Sequence, residues 1–198
     1  MRFEGLKIGF ALTGSHCTLA EVVKIIEELK QEGAEITPII SYSVDQMNTR
    51  FGEASHWKTV LKEITGKDPL KTIPEVEPIG PSKLFDCVVV APCTGNTLAK
   101  MANGISDTPV LMAAKAHLRN LGCVVIAVAT NDGLGTNAKN IGILLSTKNI
   151  YLVPFGQDSP LNKANSLVAH MNKIPDTISW ALQGKQLQPI LVQFHSDS

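Results

Sequence analysis

An excess of charge of one sign is missing from this chain. Its 18 Lys and Arg balance 18 Asp and Glu, so the formal net charge is zero. That excludes a basic footprint for nucleic acid and a polybasic face for an anionic membrane. No apolar run reaches the roughly 20 residues that a spanning helix needs. The opening Met1-Arg2-Phe3-Glu4-Gly5 lacks the architecture of a signal peptide. The expected compartment is cytoplasmic, with no nucleic-acid and no membrane partner. Aromatic residues make up only 5% of the chain, so Ala, Val, Ile and Leu must carry the core.

Metal-binding cysteine patterns are also absent. Cys17, Cys87, Cys93 and Cys123 form no Cys-x-x-Cys pair and have no His partner at ligand spacing, so no metal site is expected. Cys87 and Cys123 lie inside apolar runs and read as small core residues. Cys17 and Cys93 follow strand ends near helix N-termini, where a thiolate is favoured. A dinucleotide fingerprint is lacking as well. The first strand is followed by Thr13-Gly14-Ser15-His16, with one glycine instead of three, and the second ends in Ser41-Tyr42-Ser43 instead of an acid. Hydroxyls of this kind suit a terminal phosphate better than NAD.

What is present is an alternation of strand and helix. The chain reads as one domain over 1–198, with a core over about 6–158 and a C-terminal helix and tail over 159–198. Leu6 to Leu12, Ile36 to Ile40, Cys87 to Ala91, Cys123 to Ala129 and Tyr151 to Val153 are apolar runs of strand length. Thr18-Leu19-Ala20-Glu21 has the form of a capping box, opening a helix whose stripe is Leu19, Val22, Val23, Ile26 and Leu29 and whose C-cap is Gly33. Ser55 to Thr65 reads as a second helix. Four prolines, Pro69, Pro74, Pro78 and Pro81, then mark an extended connection. Asp107 is the expected cap of a helix with Pro109 in its first turn, ending at Gly122. Ala138 to Leu145 is helical, and a long last helix is expected over 163–184, bent at Pro175. The pattern is that of an α/β protein with a parallel sheet.

The stretch Asp86 to Met112 organises the rest. A strand buried on both faces breaks into Pro92-Cys93-Thr94-Gly95-Asn96-Thr97 and then into a helix with Leu98, Met101 and Ala102 on its apolar stripe. Polar groups at the carboxyl end of a parallel strand are where open α/β sheets bind ligands. Four such loops, 13–16, 41–43, 92–97 and 130–137, carry the same small polar character. In a parallel sheet they share one edge, which makes a ligand site there the expectation.

Ala91-Pro92-Cys93-Thr94-Gly95-Asn96-Thr97-Leu98-Ala99-Lys100-Met101-Ala102-Asn103-Gly104-Ile105-Ser106-Asp107 resembles the Pro-x-Ser-Ala-Asn-Thr region of the flavoprotein family that includes flavin-dependent cysteine decarboxylases. The resemblance runs from Leu6 to about Asp158. It implies a Rossmann-like three-layer α/β/α fold, bound FMN and a homo-oligomer built on trimers. Carried over by position, Gly14, Ser15, Ser41 and Ser43 would hold the phosphate, and Thr94, Gly95, Asn96 and Thr97 would line the flavin ring. Thr13, His16, Pro92, Cys93, Thr130 and Asn131 complete the expected cofactor shell.

Two departures separate the chain from the decarboxylases. Where they carry a histidine before the third strand, this chain reads Pro78-Ile79-Gly80-Pro81. Where they carry Pro-x-Met-Asn after the fourth, it reads Ala129-Thr130-Asn131-Asp132. The segments 129–142 and 147–158 resemble instead a branch of the family that serves dipicolinic acid formation in sporulating bacteria. That resemblance implies a tetrahydropyridine dicarboxylate substrate and a distinct partner protein resembling a nicotinamide dehydrogenase.

Three function classes follow: a component of a flavin-dependent oxidoreductase, a non-catalytic flavin-binding component that supports the partner, and a stand-alone decarboxylase. Candidates for the chemistry are His16, whose ring titrates near neutrality, Cys93 and Asn131, with no catalytic group assigned. Asn96, Asn131, Thr130 and the amides of 133–135 are candidate donors to substrate carboxylates, and Lys100, Lys115 and Arg119 are charged candidates. His56, His117, His170 and His195 read as surface or packing residues.

Overall fold

The computed structural model describes residues 1–194; His195 lies outside them. Each apolar run forms a strand: β1 is Lys7–Leu12, β2 Glu35–Ile40, β3 Cys87–Cys93, β4 Cys123–Thr130 and β5 Ile150–Leu152. These five pair in parallel in the order β2-β1-β3-β4-β5. Every position of β3 is buried, which explains an apolar run in place of an alternating one. Val88, Val89 and Val90 are fully shielded, and burial of each such side chain contributes about 1.5–3 kcal/mol.

The helices, in chain order, are α1 Leu19–Gln31, α2 Tyr42–Gln46, α3 Ala54–Thr65, α4 Ile73–Val76, α5 Ile79–Ser82, α6 Gly95–Ala102, α7 Pro109–Arg119, α8 Ala138–Leu145 and α9 Ile174–Ala181. α1 and α9 pack together on one face of the sheet, while α7, with α4 and α5 against it, covers the other. The result is the three-layer, Rossmann-like arrangement expected. The chain passes from β1 outward to β2, then returns across β1 to β3 and continues the opposite way. The reversal between β1 and β3 is a topological switch point, where doubly wound sheets open a crevice at their carboxyl edge.

Several local expectations are corrected. Thr18 does not cap α1. A 3-10 turn, His16–Thr18, precedes the helix and sets Thr18 itself near helical angles, so its hydroxyl donates back to the Ser15 carbonyl at 2.8 Å. Asp107 does not cap α7 either. Thr108 does, accepting from the Leu111 amide at 3.2 Å, while Asp107 pairs with Lys100 at 2.7 Å. Helix α7 ends at Arg119, and Leu121 rather than Gly122 takes the left-handed turn, at φ 62°. The Pro-rich connection holds α4 and α5, and Leu70 bonds along the edge of β2 through the Ile40 amide at 2.8 Å.

The long last helix is the largest correction. In its place stand β7, Leu167–Ala169, a 3-10 turn and the short α9; before them comes β6, Phe155–Gly156. β4 runs beyond β5, and its exposed edge at Ala129 and Thr130 takes β7 antiparallel, which in turn pairs with β6. Leu167 and Ala169 are buried with Val168 between them half-buried, a period-two pattern. Pro175 lies in the first turn of α9, where its missing N–H costs nothing, so it opens a helix and bends none. The core continues past Asp158 through Met171, Ile174 and Ile178, all fully buried.

Candidate functional site

A cavity of about 530 Å³ opens at the switch point. Its walls come from the loop after β1 (Gly14 to Cys17), the start of α6 (Thr94, Gly95), the end of β4 (Ala129 to Asn131) and a turn after α2 (Thr49 to Phe51). Among the described residues no carboxylate lines it, and Arg50 is its one cationic wall residue. The donors around it are otherwise hydroxyls, amides and one imidazole, a set suited to an anionic ligand with a polar ring.

Hydrogen bonds behind the wall hold the strand ends in place. Thr13, buried at the end of β1, donates its hydroxyl to the Pro92 carbonyl at 2.7 Å. The same oxygen accepts from the Thr94 amide at 3.0 Å. Thr94 caps α6, accepting from the Thr97 amide at 3.3 Å. Gly95 sits where a Cβ would lie 2.5 Å from Thr130 Oγ1 and 2.6 Å from Asn137 Nδ2, so any larger residue would force those side chains of the loop after β4 to shift. That loop is folded around Asp132, whose carboxylate accepts from the Thr136 amide at 3.0 Å and from Asn137 Nδ2 at 3.4 Å.

His16 bonds to Ser43 Oγ at 3.2 Å through Nε2, while Nδ1 is buried without a partner. Desolvation holds its pKa below the ordinary histidine value, so the ring is neutral at neutral pH. Cys93 is fully buried, and burial pushes its thiol up; it packs beneath the site as a protonated thiol and is no accessible nucleophile.

Of the residues expected from the sequence, Gly14, Ser15, His16, Thr94, Gly95, Thr130 and Asn131 meet at the cavity wall. Thr13, Pro92, Cys93 and Thr97 are buried behind it. Ser41 caps α2, accepting from the Val44 amide at 3.4 Å, and Ser43 supports His16 over Gly14. Asn96 is exposed on α6. The charged candidates lie elsewhere: Lys100 pairs with Asp107, and Lys115 and Arg119 line a separate cavity with Met101, Ile105, Leu111 and Leu118. The sequence reading missed Thr49, Arg50 and Phe51. Their signal was a cation and an aromatic followed by Gly52, a turn composition between two periodic segments.

Residues 2–182 match the model of the family described as Flavoprotein. The chain is 51% identical over 190 residues to the B subunit of dipicolinate synthase from Bacillus subtilis (strain 168), covering 96% of this chain and 95% of that protein. A crystal structure of the dipicolinate synthase B subunit from Bacillus halodurans C superposes with a TM-score of 0.90 at 49% identity, over 98% of this chain and 99% of the other. The FMN-dependent cysteine decarboxylase SpaF shares the fold, with a TM-score of 0.66 at 18% identity over 90% of this chain and 95% of its own.

Proposed function

The chain belongs to the flavoprotein family, and from that premise we propose that it is the FMN-binding B subunit of a dipicolinate synthase. In this reading it works in the cytoplasm with the dehydrogenase-like A subunit of dipicolinate synthase, and it assembles as a trimer-based homo-oligomer. It helps convert a dihydrodipicolinate-level intermediate to dipicolinic acid. One observation carries the reading: the switch-point cavity, free of carboxylates, lies in a chain that aligns nearly end to end with a dipicolinate synthase B subunit.

The residues present fit FMN. Apart from Arg50, the wall among the described residues offers neutral donors, no acid to repel a phosphate, and an imidazole whose buried Nδ1 lacks a partner. Gly14, Ser15 and His16, with Ser43 behind them, are the residues to hold the phosphate. Thr94, Gly95, Thr130 and Asn131 are those to line the ring. Aromatising a dihydropyridine dicarboxylate removes one hydride and one proton, and FMN, when bound, supplies an acceptor for the hydride.

The rest falls to the chain's own side chains. Thr13 fixes the spacing of the β1 and β3 ends. Asn131 and Thr130 orient polar groups of the ligand. His16, neutral and tethered at Nε2, has Nδ1 left as a donor to the phosphate. Turnover assays of the two proteins separately and mixed test this reading. Oxidation that requires the flavin-loaded B protein supports it. Full activity of the A protein in isolation, or with flavin-free B, assigns a non-catalytic role to this chain. Carbon dioxide release from cysteinyl substrates would revive the decarboxylase reading.

A further inference from the structure

The turn that brings Arg50 and Phe51 to the cavity is firmly built. The Thr49 and Gly52 amides each donate to the other's carbonyl at 3.1 Å. The Phe51 amide donates to Thr49 Oγ1 at 3.2 Å, and the Ala54 amide to Asn48 Oδ1 at 3.0 Å. Gly52 stands at φ 140°, a conformation that L side chains rarely adopt, and a Cβ there would lie 2.8 Å from Trp57 Nε1. The turn is therefore seated on the first turns of α3.

Nothing in the core accounts for the two side chains it presents. Trp57 fills the core at this place, 6% exposed, whereas Phe51 is 43% exposed. The Arg50 guanidinium lies 4.8 Å from the Phe51 ring centre, and among the described residues it pairs with no acid. A guanidinium fork beside an aromatic face, at the rim of a wall without carboxylates, is a recognition surface for a planar ring bearing a carboxylate.

We infer that the Thr49–Gly52 turn is the substrate-recognition element of this cavity, with Arg50 holding one carboxylate of a planar heterocyclic diacid and Phe51 covering the ring. The inference rests on the function proposed above for the same cavity. Asn131 and Thr130, on the opposite strand end, are the neutral donors for the second carboxylate. Diacids are thereby preferred to the monoacid, because an unmatched donor set at the far wall gains nothing from the missing group.

Calorimetric titration of pyridine-2,6-dicarboxylate and pyridine-2-carboxylate, with and without FMN, tests this on the wild type, Arg50→Gln, Arg50→Lys and Phe51→Ala. Both positions are exposed, and unchanged circular dichroism and melting temperature confirm the fold of each variant. Arg50→Gln is expected to weaken the diacid by about tenfold or more and leave FMN affinity as it was. Arg50→Lys recovers only part, since an ammonium cannot form the fork. Diacid binding unchanged in Arg50→Gln overturns the inference. So does loss of FMN binding in that variant, which would assign the guanidinium to the flavin phosphate. A wild type that takes no FMN yet binds the diacid through Arg50 overturns the flavin reading and leaves this inference standing.

Discussion

Thr13 and Thr94, 81 residues apart, share one half-buried hydrogen bond, the Thr94 amide donating to Thr13 Oγ1 at 3.0 Å. With the bond from the same hydroxyl to Pro92, it ties the end of β1 to the end of β3 across the switch point. Thr13→Val keeps the shape and leaves the Thr94 amide unpaired. The expected loss of stability is about 1–3 kcal/mol, read from urea unfolding, together with weaker FMN binding. A stable variant with unchanged flavin affinity would show that the strand ends hold their spacing without this bond.

Gly95→Ala tests the contact between α6 and the loop after β4. The added methyl would press on Thr130 Oγ1 and Asn137 Nδ2, and overpacking of this kind costs about 1–3 kcal/mol. FMN affinity should fall with it, because the same displacement moves Thr130 at the cavity wall. Calorimetric unfolding and a flavin titration on the one variant check both expectations.

Asn96→Leu separates binding from folding. Asn96 is exposed and forms no side-chain hydrogen bond among the described residues, so stability should stay within about 0.5 kcal/mol. Flavin binding should nonetheless be lost if the amide faces the ligand as the resemblance implies. Unchanged flavin binding removes Asn96 from the site.

The strands, their parallel sense and the loop cluster at one edge were legible from apolar runs and from the polar residues that end them. The β1 and β3 loops meet at the cavity wall because Gly14-Ser15-His16 and Thr94-Gly95 are local sequences in local turns. What failed depended on distant partners. The segment 163–184 alternates only over three residues, and its strand forms because the end of β4 offers an unpaired edge. Thr18 and Asp107 have capping chemistry, but the 3-10 turn and Lys100 claim them. The Arg50 turn was missed because its place in the site comes from docking on Trp57, a contact that no periodicity reports.

His16 gives a signed pH dependence. Desolvation lowers its pKa in the folded chain below 6.5, so the unfolded chain takes up the proton first as the pH falls. Stability is therefore unaffected above the unfolded value, declines as the pH drops through it, and levels off below the folded value. His16→Asn should remove that part of the decline. Urea midpoints from about pH 5 to pH 8 for both proteins check it, and parallel profiles would assign the slope to other groups.

The central claim, a flavin mononucleotide site at the switch point, is tested most directly by the visible absorption spectrum of the purified protein after addition of FMN and desalting. The account predicts a retained flavin spectrum in the wild type and a weaker one in Gly95→Ala, whose added methyl presses on Thr130 at the cavity wall. A colourless wild type, even with excess FMN and the dehydrogenase-like partner present, would contradict the account and move the oxidation to that partner.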